Sequence, residues 1–406
     1  MINNELKSVL DDKKISKALI KNSVEKLANN KRIYLISDHC EHRKEHSTKL
    51  ENLGKVRNLK NKIINGYLTL NTIALDEQKQ NLTFSNITVF SNKEENFITK
   101  AELKDYENEK IKNTQRLKEL DEMIEENTYI NMTTTFKEHL KSQSKAYKEV
   151  NPEISICNVH DRYADSAEYF EFITEELGDD FVIRGKKNRN SEQFKINPKT
   201  KRKNKIKLID SEFENKKVYL IEKMTMKGKC YQHAKSLIEW QEIEINEKKY
   251  RAVRVTLFRR DGTKIHKEPM LLITSLLVRS YLEAKEIYQI YLLRSKIEAV
   301  FKFLKDVLGW EEFQVRDWES IKNIIAICFF VGEYFYEIES ELTKNPTVIM
   351  ICDLGGGKGK ITRFYFLKGL KKLLIAQNVE NFKKNNNISE ELFREMQGYA
   401  GIGGIA

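Results

Sequence analysis

The stretch YLLRSKIEAVFKFLK, residues 291–305, carries four polar side chains whose spacing governs how the chain is read. On an α-helix each residue advances by about 100°. Measured from Tyr291, Arg294 then lies at about −60°, Glu298 at about −20° and Lys305 at about −40°. A phenol, two cations and a carboxylate therefore share one arc about 60° wide. Ile297, Phe301, Leu304 and Leu308 form an apolar stripe beside it, from about −80° to −140°. The polar arc thus borders the core-facing side instead of opposing it. A carboxylate held there between cations suits a metal ion bound next to phosphates. An ordinary amphipathic helix with solvated i,i+4 and i,i+7 charges presents the same arc, so this geometry alone leaves both readings open.

Around this stretch the pattern is helical over 281–308 and 318–343, and Pro346 and the glycines 355–357 set off a segment with a helix near 365–376. Upstream, 5–29 reads as a polar helix with Leu6, Val9, Leu10, Ile15, Leu19, Ile20 and Leu27 on one side. Strands are expected at 33–36, ending at Asp38, at 66–75 (GYLTLNTIAL), where apolar and polar residues alternate, and at 87–90. Residues 99–149 are charged and mostly helical, and 154–159 is a strand ending at Asp161. Asp165 with Glu168 three residues on resembles a capping box opening a helix over 166–177. After a strand at 181–184 comes a run, 186–207, with ten Lys or Arg against one acidic residue, Glu192. Strands then follow at 218–221, 242–245, 250–258 and 270–274, with Arg260-Asp261-Gly262 as a turn. All four prolines (Pro152, Pro198, Pro269, Pro346) fall at these boundaries. The expected class is α/β: a mixed sheet flanked by helices, in two parts (32–185 and 276–345), interrupted by an inserted β-rich domain (186–275). A short helical segment (1–31) precedes it and a helical C-terminal segment (346–406) follows.

The chain has 406 residues, 32% of them charged, with a formal net charge of +11 and a pI near 9.1. That surplus favours a polyanionic partner, since each phosphate neutralised releases condensed counterions; biased composition produces the same surplus. Five scattered cysteines without a CxxC pair indicate neither a disulfide framework nor a thiolate zinc site. The first thirty residues lack the apolar core of a signal peptide, and the longest apolar stretch, 324–331, is too short to span a bilayer. A soluble cytoplasmic protein is expected.

Tyr-x2-Arg-x3-Glu-x6-Lys, ungapped in residues 291–305, resembles the signature of the insertion-sequence-four family of DDE transposases. Other segments resemble the family in the same order. NVHDRYAD (158–165) is similar to its Asp-Arg-x-x-Asp segment after the fourth strand of an RNase H-like sheet, and FVIRGKKNR (181–189) to the next strand. YLISDHCE (34–41), NLGKVRN (52–58) and GYLTLNTIAL resemble the surroundings of the first catalytic aspartate. MLLITSLLV (270–278) resembles the strand that re-enters the catalytic domain.

This resemblance implies an RNase H-like catalytic domain in which Asp38, Asp161 and Glu298 are catalytic and bind two Mg2+ ions, with Mn2+ as a substitute. It implies metal-dependent DNA cleavage and strand transfer by cut-and-paste, with element ends and target DNA as partners, a homodimer on DNA, no membrane, and a prokaryotic, nucleoid-associated setting. Tyr291, Arg294 and Lys305 would hold phosphates, Arg294 by bidentate hydrogen bonds. Lys186, Lys187 and Arg189 open the basic run and are further DNA-contact candidates, beside the reading of that run as a solvated loop. Met270 stands where some relatives place a Trp that supports a flipped base, which puts a hairpin intermediate in question. Only 37 residues precede Asp38, where the family places a helical end-recognition domain. A shortened, non-autonomous remnant that binds DNA or forms dimers and inhibits transposition is the alternative expectation. His42 and His46 stand i,i+4 as in a helical zinc site, but no HExxH accompanies them, and neutral surface histidines are expected. The glycine–lysine run 355–360 lacks the residues of a phosphate loop and reads as a plain loop. Trp310 and Trp318 read as core.

Overall fold

The structure, a computed structural model, describes residues 11–196, 203–226, 229–341, 345–389 and 391. Leu6, Val9 and Leu10 of the first helix, residues 197–202 of the basic run with Pro198, and the end of the C-terminal segment lie outside the described residues.

Strand β1 (Arg32–Arg43) is the axis of a ten-stranded mixed sheet. On one side it pairs antiparallel with β3 (Ile63–Leu75), whose far edge carries β2 (Gly54–Arg57) and β4 (Leu82–Phe90). On the other side lie β5 (Ser155–His160) and then β6 (Asp180–Arg184), both parallel to β1. Strands β7 (Asn190–Ile196) and β8 (Lys203–Lys207) form a separate two-stranded ribbon. Strands β9 (Asn215–Met226), β10 (Lys229–Ile245), β11 (Lys248–Phe258) and β12 (Met270–Thr274) do not stand apart as an inserted β domain. β12 pairs antiparallel with β6, and the other three continue the same sheet outward. Backbone pairing between segments distant in sequence leaves no local signature, which is why an insertion in sequence looked like a separate body.

Side-chain alternation sorts the sheet into two faces. Ile33, Leu35 and Ile156 pack with Ile20, Val24 and Leu27 of α1 (Asp12–Leu27). Helices α2 (Lys100–Glu107) and α3 (Thr114–Glu125) lead to α4 (Met132–Val150), whose Tyr147 joins that cluster. Phe181 and Ile183 meet Phe136 and Leu140 of α4, and Phe170 and Ile173 around the short α5 (Ala167–Glu171). Each such side chain taken out of water contributes about 1.5–3 kcal/mol. Tyr34, Ile36 and Asp38 of β1, Val159 of β5, and Val182 and Arg184 of β6 point to the opposite face. There α6 (Tyr281–Leu292) lies along β5, β6 and β10 to β12, while α7 (Ser295–Asp306) lies on β1. Trp310 and Trp318 are buried, as expected.

Two compact units are present, Met1–Phe330 and Val331–Ala406. Their division falls inside α8 (Trp318–Glu341), whereas the sequence suggested position 346. In the second unit α9 (Pro346–Leu354) packs on α10 (Arg363–Asn385) so closely that a Cβ at Gly369 would sit 1.8 Å from the Ile351 carbonyl oxygen. Gly355 caps α9 and faces the Tyr365 carbonyl, so the first glycine of the run serves helix packing.

Candidate active site

The β1–β5 ladder ends at the pair Ile36 and Val159. Two residues farther along each strand, Asp38 and Asp161 stand level on the same face. They open into the crevice beyond the carboxyl end of β5, the usual ligand position in an α/β sheet. β1 does not end at Asp38 as the sequence suggested. It continues to Arg43, paired there with β3.

The helix expected over 281–308 is interrupted over this crevice. Leu293 N bonds Ile290 O at 3.1 Å, Arg294 N bonds Tyr291 O at 3.0 Å and Ile297 N bonds Arg294 O at 3.2 Å. These i→i−3 bonds tighten the backbone into a 3-10-like joint between α6 and α7, in which residues three apart nearly eclipse. Tyr291 and Arg294 thus come onto one side. Tyr291 Oη donates to Asp161 Oδ1 at 3.3 Å. Arg294 Nη2 lies 2.5 Å from Asp38 Oδ2 and 3.7 Å from Asp161 Oδ2, which confines those two oxygens to within about 6 Å of each other. The other guanidinium nitrogen, Nη1, pairs with Glu298 Oε1. One guanidinium therefore touches all three expected acids.

The electrostatics follow from burial. The Asp38 side chain is only 14% exposed. Burial pushes its carboxyl up to about 7, the Arg294 charge pulling it down and the Asp161 charge raising it. Burial alone would weaken the Arg294 cation, but the Asp38 and Asp161 carboxylates more than offset this and raise its pKa. The Tyr291 phenol is pushed up to about 12 by burial and by Asp161, so it remains a donor at neutral pH. The Glu298 side chain is 60% exposed. Next to the two aspartates, His39 is half-buried and His160 fully buried, and desolvation holds them at about 4 and about 3.

The other expected site residues stand elsewhere. Lys305 Nζ donates to the Glu41 carbonyl oxygen at 2.9 Å and pairs with Glu311 at 3.0 Å. Asp165 is buried; Lys186 N donates to it at 2.5 Å and Arg189 Nε at 2.8 Å. Lys187 pairs with Glu268. The capping box at Asp165 is corrected too. Ser166 caps α5 by accepting from Tyr169 N, because the Asp165 carboxylate is drawn to the end of β6. His42 is neutral but not at the surface: it is fully buried against Trp310, and desolvation holds it at about 3.

Sequence reasoning missed Arg184, whose Nη1 lies 4.0 Å from Asp161 Oδ1. Strand parity could have found it, since Arg184 shares a face with Val182 and hence with Asp161. Beside it opens a cavity of about 530 Å3, lined by Arg162, Arg184, Lys187, Lys267, Met270 and Leu292 among others.

Residues 159–331 match the family described as transposase DDE domain. Over that part, somewhat under half of its length, the chain is similar to transposase DDE domains. Such domains belong to DNA-cleaving phosphoryl-transfer enzymes, act on DNA and generally use divalent metal ions. The match takes in Asp161, Tyr291, Arg294, Glu298 and Lys305, whereas Asp38 lies outside it. No curated protein matches the chain. No helix among the described residues is long and apolar enough to cross a membrane.

The three expected acids fit a hard divalent cation in part. Asp38 and Asp161 offer oxygen donors only, close together, and the buried Asp38 carboxyl lacks enough positive charge to hold its usual acidity. Yet among the described residues no three His, Cys, Asp or Glu are gathered to hold a metal ion. Asp38, Asp161 and Glu298 were expected to form that cage. Arg294 stands between them, and Glu298 faces solvent.

Proposed function

We propose that this transposase domain cleaves DNA at the ends of an insertion sequence and joins it to a target by a cut-and-paste route, as a member of the insertion-sequence-four group. One observation carries the reading: a single guanidinium, Arg294, contacts carboxylates from three separate parts of the chain, Asp38, Asp161 and Glu298. Charges so far apart in sequence are gathered at one place at a desolvation cost, which makes a purely structural purpose a poor explanation. The mixed sheet flanked by helices supports the RNase H-like form of this reading.

In the proposed mechanism Asp38 and Asp161 would hold Mg2+, or Mn2+ in its place, with Glu298 as the further oxygen donor. The bound metal would activate the attacking oxygen and stabilise the leaving one. Arg294 is displaced from the carboxylates toward the DNA phosphate, which its planar fork grips by two parallel hydrogen bonds. Tyr291 donates from its phenol beside Asp161. Arg184 faces the same crevice and adds a second guanidinium for the backbone. Lys186 and Arg189 neutralise Asp165, so their role is to shape the loop after β6. Met270, in the wall of the neighbouring cavity, fills space without offering an aromatic face, which argues against a stacked, flipped base.

The test is nicking of duplex DNA bearing the element ends, by the full chain, in Mg2+ or Mn2+. Nicking that is lost in chelator, in Glu298→Gln and in Asp161→Asn supports the proposal. No nicking with either metal, or full activity in both variants, contradicts it. Two copies per DNA end-pair by sedimentation would support the homodimer.

A further inference from the structure

Beyond Ile36 the outer half of β1 has lost β5 as a neighbour, yet its backbone groups on that side are not left to water. Lys31 O accepts from Ser155 N of β5, so by the two-residue period Glu41 O and Arg43 N face the same way. Glu41 O accepts from Lys305 Nζ at 2.9 Å, and Arg43 N donates to Glu311 Oε1 at 3.0 Å. Glu311 also pairs with Lys305 at 3.0 Å and with the Arg43 guanidinium at 3.4 Å. Two side chains from α7 and the turn after it thus stand in for a missing strand. The turn is set by Gly309, in the left-handed region at φ +70°, and by Trp310, buried against His42 with ring centroids 4.4 Å apart. Burial raises the Glu311 carboxyl, but the Arg43 N–H, Lys305 and Arg43 outweigh this and hold it below its usual range.

The spans match. Glu298 to Lys305 is seven residues of helix, about 10.5 Å. Asp38 to Glu41 is three residues of strand, about 10 Å. α7 and β1 therefore run side by side, joined at one end through Arg294 and at the other through Lys305 and Glu311.

We propose that Glu311 is a positioning residue for DNA cleavage: by clamping Lys305 and Arg43 it fixes the register of Glu298 against Asp38. This rests on the catalytic reading of those two acids given above. Lys305 then acts by holding β1, not by gripping a phosphate. A slip of one helical residue would move Glu298 by about 1.5 Å, and misplacement of about 1 Å at a reacting centre costs on the order of 100-fold.

The test is single-turnover cleavage by the full chain across DNA and salt concentrations, with Glu311→Gln, Lys305→Met and the double variant. The expected result is a loss in kcat of about 10- to 100-fold in each single variant, with KM for DNA within about twofold. The double variant should be no worse than either, because both break one clamp. If Lys305→Met instead raises KM and flattens the salt dependence by about one counterion while Glu311→Gln cleaves like the wild type, the proposal is overturned and Lys305 is a phosphate contact. Hydrogen exchange at the Arg43 amide reads the clamp without activity. Glu311→Ala must deprotect that amide, and unchanged protection overturns the proposal. A wild type that nicks nothing while Glu311→Ala deprotects Arg43 would fault the catalytic reading and leave the clamp itself standing as structure.

Discussion

Replacing Arg294 by Met should destabilise the first unit strongly at neutral pH, and divalent cations should partly restore it. Met keeps the length of the side chain and removes the charge. What remains is Asp38, mostly buried, facing Asp161 with Glu298 nearby. Removing one partner of a buried ion pair costs about 3–5 kcal/mol. Asp161 is about one third exposed, so its share is screened, and we expect a net loss of about 3 kcal/mol at pH 7.5. The sign with pH follows from Asp38, raised to about 7 by burial. Below that value the folded state already carries the neutral acid, so Arg294 has less to neutralise and the loss should shrink at pH 5. A divalent cation present at ten times its Kd returns about 1.4 kcal/mol, and it should stabilise the variant more than the wild type because no guanidinium competes for the same oxygens. Urea unfolding of both proteins at the two pH values, with and without Mg2+, measures all of this. A loss below about 1 kcal/mol at pH 7.5, or a variant indifferent to Mg2+, would refute the reasoning.

Further outcomes follow from other parts of the fold. His139, buried between Thr72 and Thr88, is held neutral at about 3 by desolvation, against about 6.5 when unfolded. Its depressed value favours the fold above pH 6.5, and this contribution fades as pH falls, by about 2 kcal/mol at pH 5; the slope of urea stability against pH should lessen in His139→Gln. Asp165→Asn should cost about 3 kcal/mol by unpairing Lys186 and Arg189, yet leave metal-dependent cleavage intact in the folded fraction, whereas Asp161→Asn should do the reverse. Trp310→Ala should cost about 4 kcal/mol by opening a cavity between His42 and Phe329, read by thermal and urea unfolding.

Much of the site could be read from the chain because strands 154–159 and 181–184 and the polar arc of 291–305 are local patterns. Asp161 follows its strand, and Tyr291 and Arg294 reach it at the crevice, while Glu298 meets Arg294 from the solvent side. What the pattern hid is non-local. β1 runs on to Arg43 through Glu41, His42 and Arg43, residues unlikely in a buried strand until Lys305, Glu311 and Trp310 are seen to receive them. The joint at Leu293 and Arg294 comes from three-residue backbone bonds, to which a fixed step of 100° is blind. Ser166, not Asp165, caps α5 because partners at 186 and 189 claim the aspartate. Lys305 shares the arc yet spends its charge on Glu311, which no helical projection of 291–305 contains.

The central claim is that Asp38, Asp161 and Glu298 serve one metal position. Loading the full chain with Fe2+ in place of Mg2+ and adding ascorbate and peroxide would generate radicals that cut the backbone only near the bound ion. Cuts should cluster around residues 38, 161 and 294–298, be competed away by Mg2+ and be lost in Asp161→Asn. Cuts at only one of these segments, or a pattern unchanged in Asp161→Asn, would contradict it.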